Sequence, residues 1–330
     1  QSGMNPFQYT RAVAAAGAIQ SVLKEPSAHF LAGGTNLIDL MKMGVMMPER
    51  LVDINGLPLK GIEKTANGLR IGALATNSEV ADHPLVLENY PLLSLAINAG
   101  ASPQLRNMAT VGGNMMQRTR CNYFFDPAMP CNKRVPGSGC GALNGYNRMH
   151  ALFGASDQCI AVNPSDMCVA MVALDAVVHV KGPKGERTIK FADFHRLPGD
   201  HPEKDNTLER GELITAVDLP ASAMAFNRHV EYLKIRDRSS FAFALVSVAA
   251  ALSMNGTTIS GARLAMGGVA HKPWRLHAAE DFLKGKTVSD ELFTQAAKLA
   301  MQDAKAYPYN KFKLTMAPNA ILQALKTATA

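Results

Sequence analysis

The period of the apolar positions changes several times along the chain, and each change predicts an element. Over residues 11–24 apolar residues recur at helical spacing, with Gln20 and Lys24 on the opposite face. The run Ala28-His29-Phe30-Leu31-Ala32 reads as a buried strand. It is followed by Gly33-Gly34-Thr35-Asn36, by a helical stretch from Leu37 to Met43 that stops at Gly44, and by a strand over Leu51–Ile54. Residues 69–75 read as another strand, and Thr76 with Glu79 three residues later signals a helix start. Asn163-Pro164-Ser165-Asp166 precedes a helix over Met167–Leu174, with Ser165 or Asp166 as its cap. Val177–Val180 and Arg187–Phe191, around the turn Gly182–Gly185, predict a hairpin, and Thr215–Leu219 a strand closed by Pro220. From about 228 the pattern predicts antiparallel strands at Val230–Ile235, Ala242–Ser253 and Ser260–Met266. Amphipathic helices follow near 276–284, at 289–305 with Ser289 as cap, and at 317–328. The fold class is α+β, with residues 4–57 and 58–225 forming a first, two-part domain and 226–330 a second. Gln1-Ser2-Gly3 reads as a remnant of tag cleavage and is left out of the fold.

Composition narrows the function. At 330 residues, 47% hydrophobic and 18% charged, the chain can bury substantial cores, and it has no apolar run long enough for a membrane helix. Its net charge of +7 is spread thinly, with no Lys/Arg block and only 6% aromatics, so nucleic acid is not an expected partner. Ala12–Ile19 is too short, and too soon followed by polar residues, to be a signal peptide. The nine histidines are dispersed and no Ser/His/Asp or Cys/His triad is evident, so no side chain is assigned a catalytic role. The seventeen methionines read as core packing.

Two glycine pairs carry chemistry. Gly33-Gly34-Thr35-Asn36 lies between a strand and a helix, where residues without Cβ let backbone N–H groups turn toward one point near a helix N-terminus. That arrangement suits a pyrophosphate, although a plain structural turn has the same sequence signature. A second pair, in Ala109-Thr110-Val111-Gly112-Gly113-Asn114, suggests a dinucleotide gripped from two sides. Neither matches the Rossmann glycine fingerprint.

The third feature is the segment 118–160. Four of the five cysteines fall in it, Cys121, Cys131, Cys140 and Cys159, spaced C-x9-C-x8-C-x18-C among Pro, Gly and Asn. A loop of about forty residues is uncommon in a compact chain unless something ties it down. Disulfides, zinc and an iron–sulfur cluster are the available ties. Zinc prefers close cysteine pairs, and none exists here. Between 118 and 150 the cations Arg118, Arg120, Lys133, Arg134 and Arg148 face one carboxylate, Asp126, which favours an anionic [4Fe–4S] cluster over two disulfides. Cys168, on an apolar helix, reads as a buried inert thiol.

Taken together, AGGTNLIDLMK (32–42), LRNMATVGGN (105–114), NPSDMCVAMVALDA (163–176), YLKIRDRSSFAFALVSVAAAL (232–252) and ARLAMGGVAHKPWR (262–275) resemble the FAD-binding medium subunits of the molybdenum hydroxylases. The resemblance covers nearly all of 4–330. It implies a two-part FAD domain of the vanillyl-alcohol oxidase type, followed by the C-terminal domain of these flavoproteins. The cysteine segment, absent from typical medium subunits, is similar to the branch containing 4-hydroxybenzoyl-CoA reductase and the periplasmic aldehyde oxidoreductases, where it carries a [4Fe–4S] cluster. RTRCNYFFDPAMPCNKR and GGVAHKPWR are most similar to the latter. By motif, the resemblance places FAD contacts on His29, Phe30, Leu31, Ala32, Gly33, Gly34, Thr35, Asn36, Leu37, Ala109, Thr110, Gly113 and Asn114. It places Asp166 at the flavin side, Ile214 near the isoalloxazine and Lys234 close to the ring. It further implies a molybdopterin-bearing large subunit that oxidises an aldehyde, a small subunit with two [2Fe–2S] clusters, and electron transfer through this chain to an acceptor. Export to the periplasm beside a signal-bearing partner follows from it, with the cytoplasm as the alternative. A stand-alone flavin oxidase and a stapled, cofactor-free binding module are the competing classes.

Overall fold

In the computed structural model, which describes residues 4–330, the chain begins with three short parallel strands. Gln1–Gly3, read above as a tag remnant, lie outside the described residues. β1 (Gln8–Arg11), β2 (Ala28–Leu31) and β3 (Arg50–Asp53) pair in the order β1-β3-β2. Parallel neighbours need a crossover, and the helices Ala15–Lys24 and Leu37–Lys42 occupy the two connections. The first helix buries Ala18, Ile19 and Val22, which share a core with Val52 and Ile54 of this unit and with Leu74 and Leu213 of the next. Apolar contact therefore fixes the first unit on the second.

The second unit is an antiparallel sheet of β4 (Ile62–Thr65), β5 (Gly68–Gly72), β6 (Val177–Gly182), β7 (Gly185–Lys190) and β8 (Leu213–Pro220), in the order β4-β5-β8-β6-β7. The hairpin stands where the alternation predicted it. β5 is shorter than expected because the chain turns after Gly72, whose Cβ, were there one, would lie 2.2 Å from the Leu59 carbonyl oxygen. Thr76 caps the helix Asn77–Ala81 in a reciprocal capping box with Glu79. Ser165 caps the helix Asp166–Ala173, all of whose residues are buried. Cys168 lies in it, with burial pushing its thiol up to about 12, which agrees with an inert core thiol.

The third unit is a second antiparallel sheet of β9 (His229–Ile235), β10 (Val246–Asn255), β11 (Thr258–Gly267) and β12 (Trp274–Arg275), in the order β12-β11-β10-β9. β10 is apolar on both faces because both faces are covered. Val246, Val248, Ala250 and Leu252 pack toward the helices Asp290–Ala300 and Lys313–Thr329, while Ala249 and Ala251 pack into the core of the second unit. β10 starts four residues later than the apolar run predicts, since Phe241 takes a left-handed φ of 51° and the chain joins the sheet only where Leu245 donates to Ile235. The last helix begins at Lys313, earlier than expected, and carries Pro318 inside it. The carbonyl that Pro318 cannot pair belongs to Leu314, which is exposed, so water can satisfy it.

The cysteine segment contains two single-turn helices, Asn122–Phe125 and Gly141–Asn144, and a bridge pairing Cys131 with Cys140. Hydrogen bonds hold it from outside. Lys133 Nζ donates to the Pro202 carbonyl at 2.8 Å and to Asp205 at 2.5 Å, and Asn310 donates to the His150 carbonyl at 3.0 Å.

Candidate functional site

The two glycine segments meet. A Cβ on Gly33 would lie 2.0 Å from the carbonyl oxygen of Met108, so only glycine lets the first cradle touch the chain leading into the second. Among the described residues, the N–H groups of Gly33, Gly34, Thr35 and Asn36 have no hydrogen-bond acceptor, leaving four free donors just before the helix Leu37–Lys42. The second segment behaves differently from the expectation. Gly112 donates to the Ala73 carbonyl at 2.8 Å, Gly113 to the Thr110 hydroxyl at 3.1 Å, and Asn114 to the Thr110 carbonyl at 2.7 Å. Its N–H groups are spent on capping a helical turn, Val111–Met115, and on stitching that turn to the strand end. The pair therefore supplies close approach rather than free donors.

Two chambers adjoin at this junction. The first encloses about 780 Å3 and is lined by His29 through Leu37, by Ala109, Thr110 and Gly113, and by Arg118, Asp205 and Ile214. The second, about 480 Å3, is lined by Thr35, Asn36, Ala109, Gly113 and Asn114 on one side and by Asp166, Ser247 and Gly268 on the other. Both volumes suit small-molecule sites, which run from about 300 to 1,000 Å3. Asn36 Nδ2, Asn77 Oδ1, Arg120 Nε and His150 Nδ1 are buried without a hydrogen-bond partner, and all four residues line the second chamber. Buried polar atoms are rarely left unpaired, and a ligand or ordered water in the chamber would complete these four. Free cradle donors at the junction, with space on both sides, fit a dinucleotide cofactor. Ile214 lines the first chamber and Asp166 the second.

Asp166 is held from two directions. Tyr232 donates its hydroxyl to Oδ1 at 2.8 Å, and Lys234 Nζ lies 2.7 Å from Oδ2 while also donating to the Ala99 carbonyl at 3.0 Å. Burial pushes the carboxyl up, and the Lys234 ammonium opposes it. Lys234 itself does not line the second chamber and meets it only through its partner Asp166. Tyr232 and Ser247, 3.0 Å apart, were not legible as site residues because a strand of this type uses both as packing positions.

All four cysteines of the long segment line one small cavity of about 10 Å3, room for about one water. None is in a disulfide. Among the described residues no three His, Cys, Asp or Glu side chains converge as ligands of a metal ion. Burial pushes the Cys121 thiol up to about 12 and the Cys159 thiol up to about 11, the latter against Lys133. The four thiols face one space, and thiols are the donors a sulfur-ligated cluster uses. The excess of cations counted along the sequence shrinks in space. Arg118 and Lys133 share Asp205, Arg120 faces Asp39, Arg148 pairs with Asp237, and Arg134 donates to the carbonyls of Tyr123 and Phe124. Charge within a sequence window is not charge at a site, because acidic residues arrive from other segments. His150 Nε2 lies 3.2 Å from Cys121 Sγ, a contact that twenty-nine residues of separation concealed.

Residues 5–222 match the FAD binding domain in molybdopterin dehydrogenase, and residues 231–326 the CO dehydrogenase flavoprotein C-terminal domain. The aldehyde oxidoreductase FAD-binding subunit PaoB of Escherichia coli is 49% identical over 99% of both chains. The glyceraldehyde dehydrogenase medium chain of Sulfolobus acidocaldarius is 28% identical over 90% of this chain and 88% of its own. Among solved structures, quinoline 2-oxidoreductase from Pseudomonas putida 86 superposes with a TM-score of 0.76, at 25% identity and 99% coverage of both chains. Carbon monoxide dehydrogenase from Hydrogenophaga pseudoflava reaches 0.77 at the same identity and coverage. These relatives are subunits of oxidoreductases, and their two-domain pattern runs through the whole of this sequence. The chain belongs to the FAD-binding medium subunits of the molybdenum hydroxylase family.

Proposed function

We propose that this chain is the electron-transfer flavoprotein subunit of a molybdenum-containing aldehyde oxidoreductase. The observation that carries the reading is the full-length likeness to an aldehyde oxidoreductase FAD-binding subunit, joined to a cradle of free N–H donors between two chambers. FAD supplies the redox chemistry when bound, accepting electrons and releasing them to an acceptor. The chain's own residues bind and orient it. Gly33, Gly34, Thr35 and Asn36 offer donors to the pyrophosphate, and Ile214 lines the chamber for one end of the dinucleotide. Asp166, fixed by Tyr232 and Lys234, meets the flavin end in the other chamber. The domain interface around β10 excludes water beneath that end.

The reading extends to a [4Fe–4S] cluster on Cys121, Cys131, Cys140 and Cys159, supported by four unpaired thiols around one cavity. Loading it requires the thiols to lose their protons and the segment to open. It also extends to a complex with a molybdopterin-binding large subunit and a [2Fe–2S] small subunit, exported together to the periplasm. No helix of the described chain is long and apolar enough to cross a membrane. A hydroxybenzoyl-CoA reductase-like assembly is the nearest rival, because the added cysteine segment suits both. The test is visible absorbance and low-temperature EPR of anaerobically purified protein before and after dithionite, with iron analysis. Bound FAD and iron are expected, and Cys131→Ser should lose the iron while keeping FAD. A colourless protein would overturn the flavoprotein reading, and iron-free yellow protein the cluster.

A further inference from the structure

Two lysines of this chain are completely buried, Lys133 and Lys313. Lys133 has Asp205 as its counter-ion. Lys313 has none among the described residues, and its Nζ donates to two backbone carbonyls, His150 at 3.0 Å and Gly268 at 2.8 Å. Both residues line the second chamber. An ammonium taken out of water without an anion is costly, and proteins remove such groups unless something uses the charge. The surrounding charges do not neutralise it. Arg148, whose charge acts on Lys313, is itself a cation and is spent on Asp237, a chamber residue on the segment after β9. His150, which lines the chamber and whose carbonyl accepts from Lys313, brings no anion to it. Burial, with Arg148 adding to it, draws the Lys313 pKa down to about 7, so below neutral pH the chamber has a cation behind its wall, while its carboxylate Asp166 is already committed to Lys234.

We infer that Lys313 is a positioning charge that favours electron-rich, anionic character in whatever redox group the second chamber holds, and so raises its reduction potential. The inference rests on the FAD reading above, and the flavin is the group named for the test. A cation near a reducible group stabilises the reduced form more than the oxidised one, because reduction adds negative charge. Burial strengthens the effect by lowering the local dielectric. The same Nζ contacts tie the cysteine segment, through His150, to the C-terminal domain, through Gly268, so the lysine also has a packing role. A packing role alone would not move a potential.

The experiment is a dye-equilibrated reductive titration of the full chain with its bound FAD, carried out below neutral pH where Lys313 carries its proton, on wild type, Lys313→Met and Lys313→Arg. Lys313→Met is expected to keep FAD at the wild-type ratio and to shift the two-electron reduction equilibrium about tenfold toward the oxidised form, a fall of about 30 mV. Lys313→Arg, which keeps the charge, is expected to stay near the wild-type potential. If Lys313→Met does not fold, Lys313→Gln retains a donor for the carbonyls and gives the same reading. An unchanged potential in a neutral variant that retains FAD would overturn the inference while leaving the flavoprotein assignment intact. Wild-type protein without FAD would overturn that assignment first.

Discussion

Replacing Asp205 by Asn tests whether the cysteine segment is held by charge as well as by packing. Asp205 receives Arg118 Nε at 2.7 Å and Lys133 Nζ at 2.5 Å, and the Lys133 side chain is 1% exposed. In the variant, Lys133 keeps the Pro202 carbonyl and Arg118 keeps a 3.3 Å contact with the Glu203 carbonyl, but neither cation has an anion. Breaking a fully buried pair by removing one partner costs about 3–5 kcal/mol. The Asp205 side chain retains 21% exposure, so the lower end, about 3 kcal/mol, is expected. The assay is urea unfolding followed by the fluorescence of Trp274, which stacks on Phe153 next to the segment. The sign with pH is fixed as well. Lys133 and Arg118 hold the Asp205 carboxyl well below the usual carboxylate range, against its burial. Its contribution is thus present above the unfolded pKa of about 3.9 and is lost as pH falls from there through the folded value. Asp205→Asn should abolish that part of the acid dependence. Lys133→Met in the Asp205→Asn background should cost less than the two single changes added together. A variant within about 1 kcal/mol of wild type near neutral pH would refute the electrostatic account.

Gly33→Ala would drive a methyl into the Met108 carbonyl at 2.0 Å, parting the two glycine segments; FAD content measured after gel filtration should fall severalfold, and wild-type content would refute the contact's role. His150, His195 and His271 are buried with pKa values drawn down to about 4, chiefly by burial. Each favours the folded state fully above its unfolded pKa of about 6.5, and that support is lost as pH falls toward about 4. The urea midpoint should therefore decline across that window, and a flat midpoint between about pH 6.5 and 4 would contradict the burial of these imidazoles.

Elements whose signal is local were legible from the chain alone. The Thr76–Glu79 capping box, the Ser165 cap, the hairpin around Gly182–Gly185 and the cradle at Gly33–Asn36 each depend on residues within a few positions of one another. The boundaries that moved did so for non-local reasons: Gly72 ends a strand because Leu59 comes close, and β10 starts where its partner Ile235 is, not where its apolar run begins. At the site, the sequence pointed to the glycines, to Asp166 and to the four cysteines. It could not show that the N–H groups of Gly112 and Gly113 are already used, since Ala73 and Thr110 have to be placed first. Nor could it show that Asp39, Asp205 and Asp237 fold back to pair with four of the five cations of the cysteine segment. Tyr232, His150 and Lys313 went unread because a strand tyrosine, a lone histidine and a helix lysine carry no site signal until their neighbours are known.

Thr119 and Cys121 each line both the second chamber and the cavity of the four cysteines, so the partition between them is one strip of chain. Whatever fills the larger compartment becomes a lid over one sulfur of the smaller. Under the cluster reading proposed above, ligation at Cys121 would have to precede the filling of the chamber, or the route to that sulfur from this side is shut.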